Sequence, residues 1–115
     1  MVFHSFTLRE REREREREML EGKAVVEDSD MPVKMQMQAM AAASQALDLY
    51  DVLDCISIAA HIKKDFDERH GSGWQCVVGF NFGCFFTHTQ GTFIYFTLQA
   101  LTFLIFKAKG GLPSS

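Results

Sequence analysis

The sequence lacks the short motifs that mark common catalytic and nucleotide-binding sites. Its 115 residues contain no Cys-x-x-Cys pair, no His-Glu-x-x-His motif, no Gly-x-Ser-x-Gly elbow and no phosphate-binding glycine loop. The four histidines are scattered, and their spacing from the three cysteines gives no support to a zinc site. We therefore predict a non-enzymatic protein with no catalytic residue, no bound metal and no other cofactor.

Positive charge and long apolar runs are also scarce. The formal net charge is −3, which argues against nucleic acid as the main partner because phosphate binding needs a basic surface. The most apolar stretch, residues 93–106, includes Gln99 and is shorter than the roughly 20 residues of a membrane-spanning helix. No apolar signal segment opens the sequence. Neither a nucleic-acid nor a membrane partner is predicted.

The cysteines Cys55, Cys76 and Cys84 form an odd set without the spacing of a disulfide framework, which is typical of reduced cytosolic thiols. Cys84 and His88 share one face of a predicted strand. About 13 Å of strand rise separates them, too far for a nucleophile and its base. A redox-sensitive thiol protein or enzyme inhibitor that uses Cys76 and Cys84 remains an alternative hypothesis.

Charge patterning divides the chain into three parts. Residues 1–22 contain an alternating run of five Arg and five Glu at 9–18, which has no apolar face and predicts a disordered, low-complexity tail. Residues 23–109 carry the apolar patterning of one folded domain. Residues 110–115 are predicted to be a flexible C-terminal tail.

The folded part predicts an α+β domain in the order β-α-α-β-β-β-β, with two helices packed on a mainly antiparallel sheet. A first strand is expected at 23–27. Cap chemistry at Asp28, Ser29 and Asp30 should precede a helix that begins near Pro32 and ends near Tyr50. A second helix is expected at 56–69. Aromatic and β-branched runs then predict strands at 74–79, 82–88, 92–98 and 101–107.

Each predicted helix has one apolar face. The first helix should bury Met35, Met40, Ala43, Leu47 and Tyr50, and the second Ile58, Ala59, Ile62 and Phe66. The methionine series is interpreted as core rather than as a promiscuous binding surface.

An ordered series of segments resembles the small cytoplasmic dynein light chains of the homodimeric hub type. The segments are KAVVEDSDM at 23–31, SQALDLY at 44–50, AAHIKKDFD at 59–67, WQCVVGFNFG at 74–83, TH at 87–88, FIYF at 93–96 and FK at 106–107. Together they span nearly all of the predicted domain and leave out the Arg/Glu tail.

This resemblance implies a strand-swapped homodimer in which the strand at 82–88 pairs with the partner's sheet. A groove at the interface would bind short linear motifs of the Thr-Gln-Thr type in disordered proteins, including dynein intermediate chain, by strand addition. The implied peptide-binding residues are Asn81, Phe82, Gly83, Cys84, Phe85, Phe86, Thr87, His88, Phe93, Tyr95 and Thr97. The implied dimer-interface residues are Lys63, Lys64, Trp74, Gln75, Cys76, Phe82 and Phe86.

The sequence departs from the family pattern at several of these positions. Phe80 replaces a basic residue at the groove mouth, Thr97 replaces an aromatic one, and the loop at 51–57 is longer. Gln75 stands where a histidine often makes the dimer acid-labile, so this dimer should be less sensitive between about pH 5 and 7. The family predicts a cytoplasmic, cytoskeleton-associated adaptor. A structural assembly subunit whose altered groove no longer binds the usual motif is the alternative.

Overall fold

The computed structural model describes residues 24–83 and 86–108. Two helices lie against an antiparallel sheet. In chain order the elements are β1 (Val25–Ser29), α1 (Val33–Leu49), α2 (Cys55–His70), β2 (Trp74–Gly79), β3 (Ile94–Leu98) and β4 (Leu101–Lys107). The strands lie in the order β1-β3-β4-β2. The predicted fold class, two helices on a mainly antiparallel sheet, is confirmed.

Helix α1 buries a line of small side chains rather than the methionines. Its buried residues are Ala39, Ala42, Ala43 and Ala46, while Met35, Met40 and Leu47 pack around this line and remain partly accessible. The alanine surface lets the helix approach the sheet and α2 closely. Tyr50 follows the helix and is exposed, so its predicted place in the core is wrong.

The expected cap chemistry at the start of α1 is also wrong in detail. Pro32 precedes the helix, and no side chain caps its first N–H groups. Ser29 Oγ instead donates to the Phe93 carbonyl at 2.8 Å and accepts from the Met31 N–H at 3.0 Å. The Asp30 carboxylate accepts hydrogen bonds from the N–H groups of Gly91 and Phe93, about sixty positions along the chain. Residues of the predicted cap therefore join β1 to the C-terminal half of the chain.

Helix α2 has a clear start and a matching buried face. Asp54 accepts a hydrogen bond from the Ser57 N–H at 3.2 Å and caps the first turn. Ile58, Ile62 and Phe66 are fully buried, as the helical spacing predicts. Gly71 follows the last turn with φ of 85°, a conformation that favours glycine.

One carboxylate joins α2 to the start of β2. Asp67 accepts from the Lys63 ammonium at 2.8 Å and from the Trp74 N–H at 3.1 Å. Desolvation acts to raise the pKa of Asp67, but these two hydrogen bonds and the positive charges of Lys63 and Lys107 together outweigh it, and the pKa lies below its ordinary value. The bond to Trp74 fixes where the sheet resumes after the helix.

The predicted strand at 82–88 is not a regular strand in the described part of this segment. Residues 82, 83, 86 and 87 pair with no strand of their own chain, and His88 makes only an isolated bridge to Ala108. The residues that the structure describes form a four-stranded sheet, where five strands were expected in the chain. An extended segment needs a neighbouring strand edge to become a strand, and the chain does not bring this segment alongside one.

Some predictions fall outside the described residues. They are the Arg/Glu tail within 1–22, the tail at 110–115, and the two candidate groove residues Cys84 and Phe85.

The first strand lies at Val25–Ser29, two residues later than expected.

Candidate functional site

The two faces of the sheet have different coverings. One face carries Ile94, Phe96, Phe103 and Ile105 and packs against the helices as part of the main core. Directly paired residues point to the same side of a sheet, so the register places a second set on the other face. We call this second side the open face; it carries Val77, Tyr95, Thr97, Leu104 and Phe106.

The segment that follows β2 crosses the open face with aromatic side chains. The ring of Phe82 meets Tyr95 edge-on with centroids 6.1 Å apart. Phe86 packs on Phe106 at 4.6 Å and on Phe93 at 5.3 Å. Leu104 is only 1% exposed although it faces away from the helices. The open face is therefore apolar. Phe82 and Phe86 cover part of it, and neither residue belongs to a strand.

Asp30 holds the turn that precedes β3, at the end of this face. Its carboxylate accepts from the N–H groups of Gly91 at 3.0 Å and Phe93 at 2.9 Å, and His88 Nε2 lies 3.0 Å from Oδ2. Desolvation acts to raise the pKa of Asp30, but the bond to His88 and the two backbone bonds outweigh it and leave the pKa lowered. Sequence reasoning missed this role because the partners lie about sixty positions away.

Thr97 presents an unsatisfied hydroxyl. Its Oγ1 is buried and has no hydrogen-bond partner, although Thr102 lies directly opposite on β4. A buried hydroxyl without a partner loses its hydrogen bonds to water and gains none in the protein, which lowers stability. The position where the sequence resemblance implies an aromatic ring therefore holds a small polar group.

The structure brings together about half of the expected peptide-binding residues. Phe82, Phe86, His88, Phe93, Tyr95 and Thr97 lie on or beside the open face. The other described members, Asn81, Gly83 and Thr87, are exposed along the connecting segment.

The expected dimer-interface residues lie on both sides of the sheet. Trp74 is buried beneath α2, with its ring 4.9 Å from Phe66, and Cys76 is on the same side. Burial raises the pKa of the Cys76 thiol, which keeps it protonated and poorly nucleophilic. Gln75 is exposed on the opposite side of β2.

The two lysines of that set have different surroundings. Lys63 donates to Asp67 and to the Trp74 carbonyl, the latter at 2.9 Å, so it supports the fold of its own chain. Lys64 is exposed.

Two searches of the described residues were negative. Within 24–83 and 86–108, no three His, Cys, Asp or Glu side chains are grouped as metal ligands would be. Neither α1 nor α2 is long and apolar enough to cross a membrane.

Comparison with known proteins identifies one family. A family model described as dynein light chain type 1 matches residues 23–108, which is most of the chain.

Solved structures of dynein light chain-like domains share this fold. One is the dynein light chain-like domain of the Fasciola hepatica calcium binding protein FhCaBP2, with a TM-score of 0.64 and 21% identity over 75% of this chain and 92% of that one. Another is the DLC-like domain of CsTAL3, with a TM-score of 0.61 and 14% identity over 73% of this chain and 90% of that one.

Proposed function

The chain belongs to the dynein light chain type 1 family, and we propose that it is a non-catalytic homodimeric hub that binds linear peptides by strand addition. It would act as an accessory subunit of dynein, through motifs such as that of the intermediate chain, or as a general dimerisation adaptor. The proposed location is cytoplasmic and cytoskeleton-associated.

The observation that carries this proposal is the unpaired outer edge of β2. This strand pairs only with β4 among the described strands, and it ends the sheet. An unpaired strand edge presents N–H and C=O groups to any extended chain. The segment at 82–88 has the composition of a strand, and its described residues join no strand of their own chain. Exchange between two copies would pair each segment with the other's β2.

The same exchange would create the peptide site. A segment paired on one side with the partner's β2 keeps its second edge free for a ligand strand. At Gly83 an added Cβ would meet no atom within 4 Å, so this position is open. Backbone hydrogen bonds would supply sequence-tolerant affinity, while Thr87, Phe93 and Tyr95 would contact alternate peptide side chains. Two grooves per dimer favour bivalent partners.

Sedimentation equilibrium tests the dimer. We expect a dimer at neutral pH that persists to about pH 5.5, because Gln75 cannot acquire charge where a histidine would. A monomer at pH 7 and micromolar concentration would remove the proposal. Dissociation confined to acidic pH would leave the dimer and overturn only the role given to Gln75.

A fluorescence-anisotropy titration tests the groove. We expect saturable binding of a Thr-Gln-Thr-centred peptide, one per chain, and none of a scrambled peptide. Gly83→Val should weaken this binding while the chain still folds, because the added side chain has free space in the unliganded chain. Ser44→Val adds similar bulk to an exposed position of α1 and serves as the matched control.

A second candidate function is an assembly subunit whose groove has changed its target. The observation that favours it is the exposure of Phe80, at 52%, at the position where the sequence resemblance implies a basic residue. A stable dimer that ignores the Thr-Gln-Thr peptide but selects other sequences from an unbiased library would support this reading. Binding of the usual motif would exclude it.

A further inference from the structure

The two helices form a cleft on the side of the molecule that faces away from the sheet. Two side-chain pairs join the helices in antiparallel order: His70 Nε2 lies 2.7 Å from Gln38 Oε1, and His61 Nε2 lies 3.3 Å from Gln45 Oε1. Along this seam the helices leave a groove of about 760 Å³. We call it the helix cleft; its lining includes Lys34, Met37, Ala41, Asp48, Asp65 and Arg69.

The helix cleft uses a side of each helix that the rest of the fold leaves free. Helix α1 turns its buried alanines toward the core and its cleft residues toward solvent. On α2, Lys63 and Asp67 bind the start of β2. Asp65 and Arg69 each follow one of these residues by two positions, which places them on the opposite side of the helix. Exchange of residues 82–88 at the β2 edge would therefore leave the helix cleft uncovered.

The charges of the helix cleft are separated along its length. Because His70 lies beside Gln38, the last turn of α2 adjoins the first turn of α1, and Arg69 and Lys34 belong to the same end. Asp48 belongs to the other end, about 21 Å from Lys34 along the axis of α1. Asp65 accepts from Arg69 Nε at 3.0 Å. Among residues 24–83 and 86–108, Lys34 and Asp48 form no ion pair.

The placement of these charges opposes the dipole of α1. Lys34 lies in the first turn and Asp48 in the last, and the helix has no acidic residue in its first turn and no basic residue in its last. A helix dipole favours the reverse arrangement, with negative charge at the start and positive charge at the end. No side chain caps the first N–H groups of α1. A ligand with a carboxylate at one end and a cation at the other would satisfy both ends of the helix.

The chain itself contains a segment with this charge pattern. Residues 9–18 alternate five Arg with five Glu, so residues seven positions apart carry opposite charges. Seven positions of extended chain span about 23 Å, close to the separation of Lys34 and Asp48. Residue 9 lies fifteen positions before Ala24, and an extended connection of this length reaches about 50 Å, twice the length of α1.

We propose that residues 9–18 lie along the helix cleft of their own chain. A Glu side chain occupies the end formed by Lys34 and the uncapped start of α1, and an Arg side chain occupies the end formed by Asp48. Residues two positions apart in the segment carry the same charge, so a shift by two preserves this pairing. The contact requires neither the proposed dimer nor the proposed peptide site.

The test compares ¹H–¹⁵N spectra of the full-length protein and three full-length variants. An uncharged-tail variant replaces each Arg of 9–18 by Gln and each Glu by Ser, which leaves the net charge of the chain unchanged. Lys34→Gln/Asp48→Asn removes the charges at the two ends of the helix cleft. Glu68→Gln removes an exposed charge of α2 outside the cleft lining and is the control. All three should fold, because the substitutions lie in the tail or at exposed positions of the helices.

We expect the amide signals of residues 34–48 and 61–70 to differ between the wild-type and uncharged-tail proteins. The difference should vanish in about 1 M NaCl, where charges are screened beyond about 3 Å. Removing the tail charges should change these signals equally in Glu68→Gln and should not change them in Lys34→Gln/Asp48→Asn.

Three results would overturn the proposal. The cleft signals could be identical with charged and uncharged tails, or their difference could persist in Lys34→Gln/Asp48→Asn. They could also change with protein concentration but not with tail charge, which would place a second copy of the chain in the cleft.

Discussion

The two faces of the sheet differ in which parts of the chain cover their apolar side chains. On the helix side, Phe96 and Phe103 stack nearly parallel at 4.9 Å, and both are fully buried by elements of the same chain. On the open face, Phe86 and Phe106 make a comparable contact at 4.6 Å. Phe86, however, belongs to a segment with no strand pairing of its own.

Under the proposed exchange between two copies, this difference separates the residues that stabilise the single chain from those that serve association. On the helix side, α1 and α2 of the same chain pack over the sheet and bury its apolar side chains. The open face is apolar, ends at an unpaired β2 edge and is partly covered by Phe82 and Phe86, which belong to no strand. Substitutions on the helix side should therefore unfold the chain, whereas those on the open face should change its assembly first.

Phe103→Ala should have the largest effect on stability. Truncating a fully buried aromatic side chain costs about 3–5 kcal/mol, a large part of the stability of a small domain. We expect a much lower urea midpoint, with monomer and dimer both lost. A stable, folded Phe103→Ala protein would show that the helix-side core is less important than its burial indicates.

Phe86→Ala should affect assembly more than folding. The ring is only partly buried in the single chain, so its loss should lower the free energy of unfolding by about 1–2 kcal/mol. If the segment is exchanged between copies, the dimer dissociation constant should rise by about tenfold or more. Sedimentation equilibrium measures this effect. An unchanged dissociation constant would place the segment outside the interface.

Asp30→Asn should weaken the attachment of the turn before β3, which borders the open face. The lost charge-assisted bonds to Gly91 and Phe93 should lower the free energy of unfolding by about 1 kcal/mol at pH 7. The lowered pKa of Asp30 stabilises the fold above the ordinary value of 3.8, and this contribution is lost as pH falls through the folded-state pKa. Urea titrations should therefore show the gap between the two proteins closing below about pH 4. A gap that stays constant would show that the carboxylate charge is unimportant.

The elements of the fold were predictable where the signal is local. Ile58, Ile62 and Phe66 recur at helical spacing, and α2 lies within one residue of its expected bounds. The bounds of the first helix were predicted as closely, but its buried face was not, because alanine and methionine suit either a packed or an exposed face. Only packing against α2 and the sheet decides that Ala39 is buried and Met37 is exposed.

The sequence could suggest which residues share one face of the sheet, but not the contacts that they make. The resemblance identified Phe82, Phe86 and Tyr95, which the structure brings to one face. The sequence did not reveal the hydrogen bonds of Asp30, which was expected to cap a helix. These bonds depend on the turn before β3, about sixty positions along the chain. A strand at 82–88 was expected from composition, yet strand pairing also needs a neighbouring edge, and among the described residues of this segment only His88 makes a bridge.

Thr97→Val should have the smallest effect, but its sign is informative. Valine has nearly the shape of threonine and removes only the hydroxyl, which is buried without a partner. Removing such a group should raise the free energy of unfolding by about 1 kcal/mol. If the hydroxyl serves a ligand on the open face, the same variant should bind polar-centred peptides more weakly. Urea denaturation and anisotropy on one preparation would measure both effects. Higher stability with unchanged affinity would make Thr97 a plain packing defect, and lower stability would mean that the hydroxyl has a partner in solution.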